Sequence, residues 1–244
     1  MIRDGADFTY PPLEYTAANG TTFTGVDYDL AQAIGKKLGV KMAYSNAAFG
    51  TLIPSLQSGR LDIVLSFATV TLEREKTVDF IQYSQSGTAI MVKKGNPKGI
   101  KSIDDLCGKV VGLQAGAVQV PIADAQNKKC TVAGKPAIQI KQLGKDSDVQ
   151  LLLRSGRVDV DLLDAPVAAY SAQTNPSEFE VVPNARYDVR PHGIMVLKGN
   201  DQLRDAIFAA VQQVMNDGEY QQILAKYNVP DLGLTAPKLN GATS

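Results

Sequence analysis

Soft metal ligands are scarce in this chain of 244 residues, which has one His, two Cys and no Trp. Zinc sites need several His or Cys side chains at close spacing, and redox-active cysteines usually form a C-x-x-C motif. Neither pattern is present. We therefore expect no metal site and no bound cofactor.

An excess of charge of either sign is also lacking, because 25 Lys and Arg balance 25 Asp and Glu. Without a basic block, nucleic acid is not expected as a partner. The longest apolar runs, such as Ile63-Val64-Leu65, are too short to cross a membrane. The first residues, Met1-Ile2-Arg3-Asp4, contain no apolar segment of a signal peptide. We expect either a cytosolic protein or an exported one whose leader is not part of this sequence.

The two cysteines, Cys107 and Cys130, leave two interpretations open. They are either two unrelated buried thiols or the two halves of a disulfide. A disulfide across a loop of this length would stabilise the fold by about 3 kcal/mol. It would also indicate an oxidising compartment.

Two stretches of the chain nearly repeat each other. Residues 56–65 read LQSGRLDIVL and residues 153–162 read LRSGRVDVDL; likewise MVKKGN at 91–96 returns as MVLKGN at 195–200. Two similar units of roughly one hundred residues each match the usual size of a domain. The repeat therefore predicts two lobes with a cleft between them.

Helix-like and strand-like segments alternate, which is typical of α/β domains with parallel sheets. Apolar spacing predicts helices over 26–38, 51–57, 148–154 and 201–216. Thr71 and Ser102 are candidate helix caps. The fold class predicted for each unit is α/β.

Strands are predicted at 61–66 and at its repeat, 158–163. The opening segment Arg3-Asp4-Gly5 interrupts what should be a buried strand, so a poor first strand is expected. The polar segment 232–244 is expected to be a loose tail.

Ligands of open α/β sheets bind beyond the carboxyl ends of strands, beside helix N-termini. The repeat aligns two such ends: one unit presents the segment 66–69 followed by Arg74, and the other presents Asp164. Arginine binds a carboxylate through a bidentate fork, and aspartate binds an ammonium group. These residues predict a zwitterionic ligand. Asp164 could instead be only a helix N-cap, and Arg74 an ordinary solvated residue.

Six segments in order resemble the bacterial extracytoplasmic solute-binding proteins of family 3, the polar amino acid transport class. They are YPPLEY at 10–15, NGTTFTGVDYDLA at 19–31, KKLGVK at 36–41, LIPSLQSGRLD at 52–62, TLEREKTVDF at 71–80 and GRVD at 156–159. The segments DLCGK and KKC also resemble a subset of this family whose two cysteines form a disulfide, which implies a Cys107–Cys130 bond.

The resemblance implies a type II periplasmic binding protein-like fold, in which two α/β lobes joined by two hinge strands close on a ligand. Lobe 1 would be discontinuous, with residues 1–86 and 191–244, and lobe 2 would contain residues 87–190. It further implies a periplasmic or otherwise extracytoplasmic binding subunit of an ABC importer, which is not an enzyme. Such a subunit would bind an amino acid or a similar small zwitterion, act as a monomer and have the membrane permease as its partner.

The resemblance also implies individual roles. Arg74 and Thr69 would bind the α-carboxylate, with help from backbone N–H groups of lobe 2, and Asp164 would bind the α-ammonium. Tyr10 and Phe49 would enclose the ligand side chain. The full predicted ligand-binding set is Asp7, Tyr10, Phe49, Ser66, Phe67, Thr69, Arg74, Gln114, Ala117, Val118 and Asp164.

The chain departs from its relatives at several of these positions. Ala117 and Val118 stand where relatives usually have hydroxyls, and Asp161 lies in a strand that is normally apolar. Phe67 either joins an aromatic pocket, where a cation–π contact is worth about 0.5–2 kcal/mol, or turns into the core. His192, near the expected hinge, is expected to be structural.

Two other functions remain alternatives. Related folds support dehydration of cyclohexadienyl acids, for which Asp7 or Asp164 could act as general acid. The third possibility is the ligand-sensing domain of a receptor. It is disfavoured because only a short tail follows Tyr227.

Overall fold

A computed structural model gives the structure of residues 1–242. The chain divides into two compact units. Unit 1 contains Met1–Ser86 and the segment from Arg190 onward, and unit 2 contains Gly87–Val189. The identification of these units as ligand-binding lobes stays a prediction.

The helices and strands alternate through most of the chain. The first part contains β1 (Ile2–Ala6), β2 (Thr9–Tyr10), β3 (Glu14–Thr16), β4 (Phe23–Thr24), α1 (Val26–Leu38), β5 (Met42–Asn46), α2 (Leu52–Gln57), β6 (Ile63–Val64), α3 (Leu72–Glu75) and β7 (Val78–Lys93). The second part contains β8 (Val110–Gln114), α4 (Gln119–Val132), β9 (Gln139–Leu143), α5 (Asp146–Ser155), β10 (Val160–Asp164), α6 (Ala165–Thr174), β11 (Phe179–Leu197), α7 (Asp201–Asn216), α8 (Glu219–Lys226) and β12 (Gly233–Leu239). Short 3-10 helices lie at Phe49–Thr51, Ile103–Leu106 and Pro230–Leu232. Within the described residues, no helix combines the length and apolar character that a bilayer span requires.

Unit 1 is built on a mixed sheet. Strand β1 lies between β5 and β6 and is parallel to both, while β6 is antiparallel to β11. The strands are short, and apolar side chains on either side of them form the core. One cluster of this core consists of Leu52, Leu56, Leu61, Val64, Ala68, Val70, Val78, Phe80 and Met195.

Helix α1 matches the prediction at both ends. Its apolar residues recur at helical spacing, so that Val26, Leu30 and Ile34 are buried on one face. Gly39 ends the helix in the left-handed conformation, with φ of 66°. At the other end Gly25 has φ of 124°, and a Cβ there would lie 2.2 Å from the carbonyl oxygen of Leu13. Only glycine fits at that position.

The first strand corrects the prediction of a poor β segment. Strand β1 pairs along its whole length with β5, because its two charged side chains are compensated. The carboxylate of Asp4 accepts a hydrogen bond of 2.9 Å from the backbone N–H of Leu65. The guanidinium of Arg3 pairs with Asp62 at 2.6 Å. The buried Asp4 is therefore tolerated because its carboxylate has a partner, whereas Arg3 is exposed.

The expected loose tail is also corrected. Strand β12 pairs antiparallel with β7, and the Asn240 side chain accepts a hydrogen bond from the N–H of Phe80. Backbone pairing does not require apolar side chains, so a polar segment can complete a sheet. The last two positions of the predicted tail lie outside the described residues.

In unit 2, β10 lies between β7 and β8. The β7–β10 pair is antiparallel, whereas β10–β8 and β8–β9 are parallel. Helix α5 is longer than predicted, and Gly156 ends it with φ of 74°. The core on one side of the sheet consists of Ile90, Val92, Ile100, Leu106, Val111, Leu113, Ala123, Cys130, Ile138, Val160, Leu162, Val182 and Ala185.

The disulfide between Cys107 and Cys130 is present, as the resemblance implied. It joins the residue after the 3-10 helix Ile103–Leu106 to the last turn of α4, with Cα atoms 5.5 Å apart. Cys130 belongs to the unit 2 core and Cys107 packs against it, so the bond lies at the edge of this core.

Local signals predicted helices better than strands. Helix α7 has the predicted bounds, and Thr71 caps α3 by accepting a hydrogen bond from the N–H of Arg74. Ser102 forms the expected capping box, although the helix that follows is 3-10. The strand predicted at 61–66 is reduced to Ile63–Val64.

Candidate ligand-binding site

In unit 1, three residues of the predicted site lie on the loop that follows β6, namely Ser66, Phe67 and Thr69. Strand β11 holds this loop through two backbone hydrogen bonds. The N–H of Gly193 donates to the carbonyl oxygen of Ala68, and the N–H of Val70 donates to the carbonyl oxygen of Pro191 at 2.9 Å. Thr69 forms an isolated bridge with His192. The loop is therefore held in place by a strand that is distant from it in the sequence.

Arg74 lies in α3, directly after this loop. Its Nη1 donates to the carbonyl oxygen of Thr69 at 2.7 Å, and its guanidinium carbon lies 5.2 Å from the centre of the Phe49 ring. The side chain is half-buried. These two contacts fix the position of the guanidinium beside the loop.

Phe67 is buried, and its ring stacks on His192 with centroids 4.0 Å apart. Its φ of 37° is unusual for a residue with a side chain. The geometry matches the alternative in which Phe67 packs into the protein, and its contact with a ligand stays a prediction. His192 also hydrogen-bonds the Thr69 hydroxyl at 3.2 Å, in line with the structural role expected for it.

A network of buried polar groups lies beneath the loop. Ser66 Oγ donates to Glu14 Oε1 at 2.8 Å and accepts from the N–H of Asp7 at 3.1 Å. The N–H of Phe67 donates to Asp27 Oδ2 at 2.6 Å. Three residues of the predicted site, Asp7, Ser66 and Phe67, are thus attached to two carboxyl groups that were not predicted.

Burial dominates the protonation of these two carboxyl groups. It raises the pKa of Asp27 to about 7, although hydrogen bonds from Tyr83 and from the N–H of Phe67 act in the opposite direction. Burial and the nearby Asp27 raise the pKa of Glu14 well above its usual range. Charged carboxylates are costly in such surroundings.

The two aromatic residues predicted to enclose a ligand side chain are both in unit 1. Tyr10 is buried in the β2–β3 hairpin, and Phe49 is half-buried at the start of a 3-10 helix. Phe49 also contacts Arg74, which is a member of the same predicted set, through a cation–π interaction.

In unit 2, Asp164 is the last residue of β10 and occupies the N-cap position of α6. Its carboxylate makes no capping hydrogen bond to that helix. Instead, Oδ1 accepts from Gln119 Nε2 at 3.3 Å, and the same amide group donates to Thr88 Oγ1 at 3.2 Å. The interpretation of Asp164 as a mere N-cap is therefore not supported by its contacts.

The remaining predicted residues surround the turn between β8 and α4. Gln114 is buried at the end of β8, and Gly116 follows with φ of 81°. The N–H of Ala117 donates to the carbonyl oxygen of Gln114 at 3.2 Å, so the turn already uses this donor. Val118 occupies the N-cap position of α4. Ligand contacts by these residues stay predictions.

Four residues that hold the predicted site were not found from the sequence, namely Glu14, Asp27, Thr88 and Gln119. Each has a polar side chain at a position that reads as ordinary hairpin, strand or helix surface. The signal available was weak: both carboxylates lie in motifs that carry the family resemblance, YPPLEY and GVDYDLA. Within the described part of the chain, no group of three His, Cys, Asp or Glu residues could hold a metal ion.

Comparison with known families decides the relationship. The family model for bacterial extracellular solute-binding proteins, family 3, matches residues 2–230. The chain belongs to this family. The membership predicted from the sequence is thus confirmed.

Individual relatives agree with this assignment. The L-cystine-binding protein TcyJ of Escherichia coli (strain K12) is 30% identical over 224 residues, which cover 91% of this chain and 80% of the relative. A solved structure described as an ancestral arginine-binding protein bound to arginine has 38% identity and a TM-score of 0.84, and covers 93% of this chain and 97% of its own. The predicted α/β fold of type II periplasmic binding proteins is thereby confirmed.

One structural relative bears on the enzymatic alternative. It is described as an ancestral amino acid-binding protein, AncCDT-1, a precursor of cyclohexadienyl dehydratase. It has 33% identity and a TM-score of 0.83, and the match covers 93% of this chain and 94% of that one. The two other relatives described above are binding proteins by name.

Proposed function

We propose that the chain is the solute-binding subunit of an ABC importer and that it binds an amino acid with free α-carboxylate and α-ammonium groups. The observation that carries the proposal is the placement of Arg74 and Asp164. Asp164 is the last residue of β10, and Arg74 lies in α3, directly after the loop that follows β6. Each is held by hydrogen bonds within its own unit. One cation and one carboxylate match the two charges of a zwitterion.

The two units would be the lobes implied by the resemblance, and one ligand would engage both charged residues. Arg74 would bind the carboxylate, and Asp164 would bind the ammonium. Closing of the lobes would follow from ligand contacts that exist only in the closed state. The protein would work outside the cytoplasm as a monomer, without nucleic acid, and would deliver its ligand to a membrane permease.

The names of the relatives indicate which ligands to test first. Relatives are named for binding L-cystine and arginine. Tyr10 and Phe49 in unit 1 would suit either a flat guanidinium or an apolar side chain, because both stack on aromatic rings.

The test is isothermal calorimetry and thermal shift of the purified protein against the twenty amino acids and L-cystine. A true ligand raises the unfolding free energy by RT ln(1 + [L]/Kd). Prephenate and arogenate are included, with detection of their dehydrated products. Product formation would favour the enzymatic alternative. If neither an amino acid nor a cyclohexadienyl acid binds, the proposal is wrong.

A further inference from the structure

Two buried carboxyl groups are placed side by side under the predicted ligand-binding loop of unit 1. Glu14 lies in β3 and Asp27 in the first turn of α1. The backbone brings them together, because the N–H of Asp27 donates to the carbonyl oxygen of Leu13 at 2.9 Å. Both residues are 1% exposed, and their side chains lie close enough for the two carboxyl groups to share a hydrogen bond.

A hydrogen bond between two carboxyl groups requires a proton on one of them. The pattern of donors indicates which. Both oxygens of Asp27 already accept, since Oδ2 receives the N–H of Phe67 at 2.6 Å and Oδ1 receives the hydroxyl of Tyr83 at 2.7 Å. Glu14 Oε1 accepts from Ser66, but no fixed donor among the described residues reaches Oε2. The free oxygen for a proton is therefore Glu14 Oε2.

We propose that Glu14 and Asp27 are positioning residues for the ligand-binding loop, and that Glu14 acts as a neutral carboxylic acid that donates a hydrogen bond to the Asp27 carboxylate. Asp27 then holds the backbone of Phe67, and Glu14 holds the Ser66 hydroxyl. Through Ser66 the pair also holds the backbone of Asp7. The inference rests on the proposed function, because it concerns how that site is kept in shape.

The surroundings favour one proton in the pair. The titratable groups that face it are Asp4 and Asp7 from the β1 side, Tyr83 from β7 and Tyr220 from α8. The neighbouring carboxylates disfavour a second negative charge on the Glu14–Asp27 pair, and a tyrosine hydroxyl can donate a hydrogen bond to the one carboxylate that stays ionised. Two ionised carboxylates at this position would repel each other and release the loop.

Substitutions separate the two roles. In Glu14→Gln the amide can still accept from Ser66 through its oxygen and donate to Asp27 through its nitrogen. In Asp27→Asn one of two required acceptors is lost, and Glu14→Leu removes the donor altogether. With L-arginine as probe, we expect Glu14→Gln to bind within about threefold of wild type, and the other two variants to bind at least about tenfold more weakly.

A pH profile distinguishes a proton from mere shape. Affinity is measured between about pH 6 and pH 10, a range well above the ordinary carboxyl pKa of about 4. Wild-type affinity should fall relative to Glu14→Gln as Glu14 loses its proton. The ammonium group of the probe titrates in both proteins alike, so the ratio of the two affinities is the readout. A ratio that does not change with pH, or equal damage by Glu14→Gln and Glu14→Leu, would overturn the inference.

A measurement without ligand keeps this result apart from the proposed function. In the wild-type protein, carbon-13 NMR of the labelled Glu14 carboxyl should report a protonated acid at neutral pH; an ionised Glu14 would overturn the inference even if no amino acid binds. This readout also decides the matter if Asp27→Asn fails to fold. The matched control is Asp161→Asn. Asp161 is also a buried carboxyl residue but lies in unit 2, and its replacement should leave the affinity for L-arginine unchanged.

Discussion

Gln119 at the start of α4 donates a hydrogen bond of 3.3 Å to the carboxylate of Asp164, at the end of β10. Its amide is buried and neutral, so it orients the carboxylate without cancelling its charge. In the proposed function, this oriented carboxylate binds the ammonium group of the ligand. Four experiments below test consequences of this and other contacts.

The first concerns Gln119 itself. We expect Gln119→Leu to weaken binding of an amino acid ligand about tenfold, since hydrogen bonds to charged groups contribute about 1.5–3 kcal/mol. Calorimetry measures the change. Gln126 in the same helix is a matched control, because it is also buried and donates to another carboxylate, Asp104. Equal losses in Gln119→Leu and Gln126→Leu would mean that the amide acts only on the stability of α4.

The second concerns Arg74. Arg74→Ala should reduce affinity at least about a hundredfold, because it leaves the ligand carboxylate without its charged partner. The loss should shrink when the probe is the corresponding amino acid amide, which has no carboxylate. Arg60→Ala, an exposed arginine of unit 1 bonded to Ser58, is the control and should bind normally. If the amide and the free acid lose affinity equally, Arg74 does not bind the carboxylate.

The third concerns pH and Asp161. Neither carboxylate oxygen of this fully buried residue has a hydrogen-bond partner, and burial together with Asp146 raises the pKa of Asp161 well above its usual range. The folded state therefore binds a proton that the unfolded state releases above its ordinary pKa of about 4. This contribution to stability is present at low pH and is lost as pH rises towards the folded-state pKa.

Asp161→Asn should accordingly flatten the decline of the unfolding free energy with rising pH. At about pH 8 the variant should be more stable than wild type by at least about 1 kcal/mol, and the difference should vanish near pH 4. Urea unfolding at a series of pH values measures it. Asp62→Asn is the opposite control: hydrogen bonds from Arg3 lower the pKa of Asp62, so its loss should not stabilise the protein at any pH. A parallel decline in wild type and Asp161→Asn would contradict the prediction.

The fourth concerns the disulfide. Replacing both Cys107 and Cys130 by Ser should lower the unfolding free energy by about 3 kcal/mol, because the open loop gains conformational freedom in the unfolded state. Denaturant unfolding with and without a reductant measures the effect. The reductant should lower the unfolding free energy of the wild type to that of the double variant and leave the value for the variant unchanged. A lower unfolding free energy of the variant in the reductant would mean that the reductant acts on something other than this disulfide.

Sequence patterns could predict features that depend on neighbours along the chain. The apolar spacing of Val26, Leu30 and Ile34 defines α1, and Thr71 lies the right number of residues before the N–H that it caps. The charged anchors Arg74 and Asp164 could be found because the internal repeat aligns the strand ends that precede them. In each case the decisive information is local or repeated.

Features that depend on distant contacts could not be predicted. Glu14 and Asp27 meet only because the β2–β3 hairpin returns the chain to the start of α1. Gln119 looks like any polar residue in a first helical turn until β10 brings Asp164 beside it. Strand β12 has no apolar pattern because its pairing with β7 uses backbone groups. The family resemblance conveyed the fold but not these contacts.

The chain passes from unit 1 into unit 2 within β7 and returns within β11. Unit 1 consequently needs Met195 and Val196 to complete its sheet beside β6, and later still β12. Unit 2 is continuous in sequence and is complete once the first part of β11, up to Val189, has been made. During synthesis from the N-terminus, unit 2 can therefore finish folding while the earlier half of unit 1 still waits for its last strands. A nascent chain in which Val189 has just left the ribosome would contain a folded unit 2 inserted in an incomplete unit 1.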